Sequence, residues 1–393
     1  MKLKNISGYF IAAGFFAAAM IGCEGADPLK DVYVSNPVAT NETKALFYNL
    51  RNMAGEQLMF GHQDAVAYGI GYEHEPGGWD AELDGEEFRS DVHDVCGSYP
   101  AVFGWDLGKI GNTHNIDSVS FDLYRKWMIG VFNRGGINTV SWHEDNPVTG
   151  GDAWDTSDAV SYILPGGEYH EYFKSRLDLV ADFFLSLKTD DGTPVPVIWR
   201  PFHEHTGGWF WWGTGASTAE EYIELWRFSH QYLTETRGCS NLLFSYSPDI
   251  FRTREKYLER FPGEEYVDIL GFDNYHDFRT NEGVPLAIEQ IRIVVELAGE
   301  MDKVAALTET GYNLIPQEDW WTQNILYPIK NDPVARNIAW VLVWRNENWR
   351  RDGAYIHHFG PYPGHLSAED FVRFHADPYT AFLDDLPDMY SVE

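Results

Sequence analysis

The chain reads as an α/β protein folded into a single (β/α)8 TIM barrel with long βα loops. Three observations predict this. Eight short β-type runs recur along the sequence, longer stretches with apolar residues at three- and four-residue spacing lie between them, and no internal repeat of fixed period or low-complexity tract breaks the alternation. Strands that alternate with helices pair in parallel, and eight such units are the number that closes a barrel. An open doubly wound sheet shares this periodicity and remains the structural competitor.

The β-type runs are residues 58–63, 101–106, 138–143, 195–204, 242–247, 267–275, 305–309 and 339–344. Between them, Phe173, Leu177, Val180, Phe184 and Leu187 form one helical stripe, and Ile288, Ile291, Val295 and Ala298 form another. Helix starts agree with this reading. Ser217 and Thr218 stand three residues before Glu220 and Glu221, as a capping box requires, and Pro285 sits where a first helical residue tolerates it. Residues 23–393 exceed the roughly 250 residues of an ordinary barrel, so some loops must be long. The Gly-, Asp- and Ser-rich stretch 144–171 is the expected insertion after the third strand, and others follow Gln63 and Tyr355. Asp190-Asp191-Gly192 reads as a turn.

The N-terminus reads as a targeting segment. Lys2 and Lys4 precede an apolar run at 11–21 that is too short to span a bilayer as a permanent helix. The run ends in Met20-Ile21-Gly22-Cys23, which resembles a bacterial lipobox, so Cys23 is the expected lipidation site. Residues 1–22 are then a signal peptide, 23–40 a lipid-anchored tether and 41–393 the catalytic domain. The expected location is a bacterial membrane, the outer one, with the protein facing the periplasm or the cell surface and touching lipid through the anchor alone. Cys96 and Cys239 remain, either as one disulfide or as two buried thiols.

Lys and Arg total 29 against 60 Asp and Glu, a formal charge of −31, which repels nucleic-acid phosphates and anionic lipid. Nucleic acid is therefore excluded as a partner. Aromatic residues make up 16% of the chain, with 15 Trp and 22 Tyr, enough to supply both core volume and flat stacking faces.

In a parallel barrel the chemistry gathers at the C-terminal ends of the strands. Those ends carry Trp105 and Asp106, Trp142 and His143, Arg200, His203 and Glu204, Asp273 and Tyr275, Glu309, and Trp344 and Arg345. Glu204 and Glu309 each follow an apolar run and precede a turn. Either alone could be a helix-cap neighbour or an ion-pair partner. Together, flanked by aromatics, they are the equipment for splitting an acetal, one protonated to release the leaving oxygen and one anionic to meet the oxocarbenium-like centre. With Glu309 charged nearby, the pKa of Glu204 should rise. His203 and His143 read as sugar-hydroxyl contacts, with a carbonyl-satisfied core histidine as the other reading. The segment Gly207-Gly208-Trp209-Phe210-Trp211-Trp212-Gly213 should place Trp209 in the cleft and at least one other indole in the core. No His-Glu-x-x-His, Gly-x-Ser-x-Gly, Walker or Gly-x-Gly-x-x-Gly motif occurs, so neither a metal nor an organic cofactor is expected.

Arg200-Pro201-Phe202-His203-Glu204, the Gly-Gly-Trp that follows, Trp142-His143, Thr308-Glu309-Thr310-Gly311, and Trp340 through Trp344-Arg345-Asn346 together resemble glycoside hydrolase family 26, best known for β-1,4-mannanases. The resemblance runs from about Phe60 to Asn346. It implies a (β/α)8 fold with the acid/base after the fourth strand, the nucleophile after the seventh, and retention of configuration. Carried over, Glu204 is the acid/base and Glu309 the nucleophile. His203 and Trp344 line the subsite of the attacked sugar, His143 and Trp209 contact sugars on either side of the scissile bond, and Tyr275 hydrogen-bonds the nucleophile. Asp106 and Trp142 complete the expected substrate-binding set. Thr308 is a departure, since a smaller residue is expected before the nucleophile.

The implied activity is a retaining, endo-acting β-1,4-mannanase on mannan, galactomannan or glucomannan, acting as a monomer. Alternatives are a β-1,3-xylanase or mixed-linkage β-glucanase of the same family, and a surface glycan-binding lipoprotein that does not cut.

Overall fold

The computed structural model describes residues 28–72, 77–347 and 357–392; the expected signal peptide, Cys23 and Tyr355 fall outside them. Among these residues, eight strands form the barrel: β1 (Leu58–Gln63), β2 (Val102–Asp106), β3 (Ile137–Ser141), β4 (Val197–Arg200), β5 (Leu242–Tyr246), β6 (Ile269–Asn274), β7 (Val304–Thr310) and β8 (Trp340–Val343). Each pairs in parallel with the next, and β8 returns to β1 with Met59 opposite Trp340 and His62 opposite Val343. That closure excludes the open sheet.

Alternation along each strand sorts its side chains into two layers. Ile198, Leu243, Ile269, Val304, Ala306 and Leu342 fill the lumen, where Leu46, Phe47 and Leu50 of α1 (Asn41–Met53) join them and close the N-terminal mouth. The intervening Trp199, Phe244, Leu270, Leu307 and Val341 face outward and pack against the helices. Of these, α2 (His170–Ser186) buries Phe173, Leu177, Val180 and Phe184, the stripe read from the sequence. The capping box opens α3 (Ala219–Gln231): Glu221 N donates to Thr218 Oγ1 at 3.2 Å, and Thr218 N donates to Glu221 Oε2 at 2.8 Å. Pro285 lies in the first turn of α4 (Val284–Met301).

Two expectations need correction. The run 195–204 is a strand only over Val197–Arg200. Pro201 has no N–H to continue a ladder, and the chain then turns out of the sheet through left-handed φ values of 47° at Phe202 and 53° at Glu204. Residues 34–36, counted in the tether expected over 23–40, pack into the fold. Val34, Ser35 and Asn36 are buried, with Ser35 N and Oγ donating to Asp268 at 2.5 and 2.7 Å and Asn36 Nδ2 donating to the carbonyls of Cys239 and Leu242. Of the two readings left open for Cys96 and Cys239, the free thiols hold, and burial pushes them up to about 11 and about 12.

Candidate active site

Arg200 is the last residue of β4, buried at the upper end of the lumen. Its Nη1 donates to Asp273 Oδ2 at 2.8 Å and its Nη2 donates to Glu309 Oε1, so one guanidinium bridges two carboxylates on β6 and β7. Burial pushes Asp273 up to about 8, with the Glu309 charge adding to this, while Arg200 and the hydroxyls of Thr308 and Ser247 oppose the rise.

Glu309 faces the lumen because β7 contains a bulge. Phe272 of β6 stands opposite Leu307, but the next residue, Asp273, stands opposite Glu309, so Thr308 is an extra residue in β7. In an unbroken strand, Val304 and Ala306 facing inward would send residue 309 outward toward the helices. The bulge reverses that. Tyr275 OH donates to Glu309 Oε2 at 2.8 Å, and burial together with the Glu309 and Glu204 charges holds this phenol well above its ordinary pKa.

Glu204 sits half-buried in the turn after β4, where its backbone N donates to Ser247 O at 2.7 Å. Trp209 Nε1 donates to Glu204 Oε2 at 2.8 Å. Burial raises the Glu204 pKa well above the carboxylate range, the charges of Glu309, Asp273 and Asp249 add to the rise, and the Trp209 bond opposes it. One carboxylate oxygen from each of Glu204, Asp273 and Glu309 lies within 4.8 Å of the others. Those three oxygens could converge on a cation, yet Asp273 and Glu309 already meet a positive charge in Arg200.

A cleft of about 560 Å³ opens over the two glutamates and is lined by His143, His203, Trp209, Tyr275 and Trp344 as well. His143 Nδ1 is 2.7 Å from Asp106 Oδ2; burial works against the imidazolium, but Asp106 and then Glu309 outweigh it, so the His143 pKa is raised. His203 is the opposite case. Burial, then the Arg200 charge, hold it well below its ordinary value, and its Nδ1 has no hydrogen-bond partner among the described residues. Gly207 makes room for Trp209, whose ring atoms would lie 2.3 Å from any Cβ at that position. Trp211 and Trp212 are both buried, donating to the carbonyls of Glu144 and His203 and so fixing the loop that presents Trp209.

Two expected sugar contacts are elsewhere. Trp142 is fully buried, its ring 5.8 Å from Trp199, 5.9 Å from Phe202 and 6.3 Å from Phe173, because adjacent residues at the end of β3 point to opposite sides and His143 takes the cleft. Asp106 is also buried. It accepts from Ser141 Oγ and Gly108 N, both at 2.6 Å, and lies behind His143, which it orients.

The structure adds residues the sequence reading missed. Trp154, 49% exposed, comes from the 144–171 insertion and stacks on His143 at 5.3 Å with 14° between the planes. Asn146 pins that insertion by donating to the carbonyls of Asp155 and Ser157. An aromatic residue within a Gly- and Asp-rich loop was the available signal. Phe359, from beyond Tyr355, reaches Tyr275 at 5.5 Å, and nothing in its local sequence announced this.

Residues 35–352 match the family pattern described as Glycosyl hydrolase family 26. The chain belongs to this family. Among family relatives, a Bifidobacterium adolescentis protein named mannan endo-1,4-beta-mannosidase is 35% identical over 293 residues, covering 71% of this chain and 28% of its own length. Mannan endo-1,4-beta-mannosidase A and B of Caldalkalibacillus mannanilyticus is 28% identical over 296 residues, 70% of this chain and 53% of its own. The chain thus spans about a quarter and about half of these curated relatives. Among solved family structures, a β-mannanase from Bacteroides ovatus is 43% identical, with a TM-score of 0.82 over 90% of this chain and 98% of its own. An endo-β-1,4-mannanase from Cellulomonas fimi is 33% identical, with a TM-score of 0.81 over 92% of this chain and 80% of its own.

Proposed function

We propose that this chain is a retaining, endo-acting β-1,4-mannanase that hydrolyses mannan, galactomannan or glucomannan by double displacement. The observation that carries the mechanism is the spacing of Glu204 and Glu309. Oxygens within 4.8 Å suit a retaining pair, with carboxyl groups about 5 to 5.5 Å apart, and fall short of the about 6.5–9.5 Å across which an inverting pair holds its water. The choice of mannan rests on the names of the relatives from Bifidobacterium adolescentis and Bacteroides ovatus.

Arg200 divides the two roles. It pairs with Glu309, whereas Glu204 forms no ion pair among the described residues and has its pKa raised by burial. Protonated Glu204 gives its proton to the leaving oxygen as the C1–oxygen bond breaks, and a Glu309 oxygen bonds to C1. Esterified Glu309 carries no charge, so its repulsion of the Glu204 carboxylate disappears and Glu204 can act as a base. It then takes a proton from water, whose oxygen bonds to C1 as the ester breaks and the Glu309 carboxylate returns. His143, His203 and Trp344 surround the attacked sugar, while Trp209 and Trp154 offer faces to its neighbours.

Purified protein is expected to release reducing ends from linear mannan, with the β-anomer appearing first by proton NMR. A first-formed α-anomer would remove the double displacement. Cleavage of β-1,3-xylan or mixed-linkage glucan alone would move the substrate, and binding without cleavage would favour the non-catalytic lipoprotein. Trp209→Phe deletes a hydrogen bond that stabilises ionised Glu204, so the pKa rises and the proton is held to higher pH. The basic limb of kcat/KM should therefore move upward by up to about one pH unit, measurable on mannopentaose, whose leaving sugar needs the proton. An unmoved or lowered limb would count against Glu204 as the acid.

The proposal extends to location: Cys23 is the lipid-modified N-terminus of an exported protein held on a bacterial membrane. The apolar run ending at Cys23 supports this, and among the described residues no helix is long and apolar enough to cross a membrane. Cys23→Ala is expected to shift the protein from the membrane fraction to the soluble one. Continued fractionation with membranes would argue against lipidation.

A further inference from the structure

Thr308 is the residue whose size departs from expectation, and it is also the extra residue of the β7 bulge. Its Oγ1 lies 2.7 Å from Asp273 Oδ1, 2.8 Å from Ser247 Oγ and 3.0 Å from the Phe272 carbonyl. Ser247 Oγ donates to the same Asp273 oxygen at 2.8 Å. The other oxygen, Asp273 Oδ2, accepts from Arg200 Nη1, and Nη2 of that guanidinium reaches Glu309. Residues 308 and 309 are neighbours in the chain, yet they are also joined the long way round, through side chains from β4, the end of β5, and β6.

The proton count gives the hydroxyl a specific task. Ser247 and Thr308 bring one hydroxyl proton each. With Asp273 ionised, both can point at Oδ1, or Ser247 can point at Oδ1 while Thr308 points at Ser247. With Asp273 protonated, the carboxyl donates and Thr308 can turn its proton to the Phe272 carbonyl. A methyl group in place of Oγ1 can do neither. Space has been left for this side chain: a Cβ added at Gly271 would meet Thr308 Cγ2 at 2.5 Å and Oγ1 at 2.8 Å.

We propose that Thr308, together with Ser247, is a positioning residue for Glu309: its hydroxyl fixes the plane of the Asp273 carboxylate, Asp273 fixes the Arg200 fork, and the fork holds Glu309 in its attacking orientation. The guanidinium is planar and binds both carboxylates at once, so a rotation of Asp273 is passed on to Glu309 rather than absorbed. This rests on Glu309 being the nucleophile of the proposed reaction.

The test compares Thr308→Val, close to isosteric, with Thr308→Ser, which keeps the hydroxyl. A 2-deoxy-2-fluoro-mannosyl inactivator reads formation of the Glu309 ester directly, and kcat and KM on mannopentaose read turnover. Thr308→Val should lower the inactivation rate constant and kcat about 10- to 100-fold, with KM within about threefold, as for loss of a hydrogen bond to a charged group. Thr308→Ser should return both to within about threefold of the unmodified protein. Inactivation of Thr308→Val at an unreduced rate overturns the proposal, as does a Thr308→Ser protein no faster than Thr308→Val. If Thr308→Val does not fold, Ser247→Ala removes the other hydroxyl from Asp273 Oδ1 and should also slow inactivation; an unreduced rate there overturns the proposal equally. An unmodified protein that neither cleaves mannan nor takes the label overturns the functional reading itself, an outcome distinct from unchanged variants of an active enzyme.

Discussion

Glu309→Ala is expected to reduce mannan turnover about 10⁴-fold or more, because it removes the group that takes the sugar in the first step. Arg200 keeps Asp273 as a partner, so the fold should persist, which circular dichroism checks. The vacated space lies beside the Arg200 guanidinium and the Tyr275 hydroxyl, a setting suited to a small anion. Azide should therefore restore part of the rate on an activated aryl mannobioside. It attacks once, so the product should be the α-azide, with configuration inverted. Recovery of the β-azide would mean that another residue still forms the covalent ester, and Glu309 would lose its role.

Glu204→Ala should fall about 10²- to 10⁴-fold on mannan, whose leaving oxygen needs a proton. An aryl substrate with an acidic leaving group needs none, so its first step should survive and the covalent intermediate should accumulate as a burst. Azide now attacks the ester instead of the substrate and should yield the β-azide, with configuration retained. The pH profile gives a second check. As the proposed acid, Glu204 acts in its protonated form, and burial and then Glu309 raise its pKa, so kcat/KM of the unmodified protein is sustained above the ordinary carboxylate range and falls as pH rises through that pKa. This limb should vanish in Glu204→Ala assayed with the activated substrate. A variant that keeps the limb would assign the proton to a different residue.

These two outcomes depend on one buried cation among three acids. Were Glu204, Asp273 and Glu309 all ionised, Arg200 alone would face three negative charges in a poorly solvated space, and protonating one of them relieves the repulsion. Glu204 lies apart from the ion pairs that Arg200 makes with Asp273 and Glu309, and Trp209 is the hydrogen-bond donor to its side chain. The placement of a single guanidinium thus separates the proposed acid from the proposed nucleophile.

What the sequence by itself determined was periodic or local. The eight strand cores, the buried stripes of α2 and α4 and the Thr218–Glu221 capping box were all legible, because alternation and helical spacing report which way a side chain points from its own element. The same reasoning missed where a neighbouring strand decides the outcome. Adjacent residues diverge, so His143 faces the cleft while Trp142 does not, and Asp106 lies behind His143, out of reach of the cleft. Glu309 lines the cleft as expected, but alternation does not put it there. Its own strand's alternation sends it toward the helices, and only the extra residue at Thr308, set by register against β6 and held by Ser247 and Asp273, turns it into the cleft beside Glu204. A bulge belongs to two paired strands at once, and the residues that fix this one lie about 35 and 60 positions away in the chain, so no local pattern encodes it.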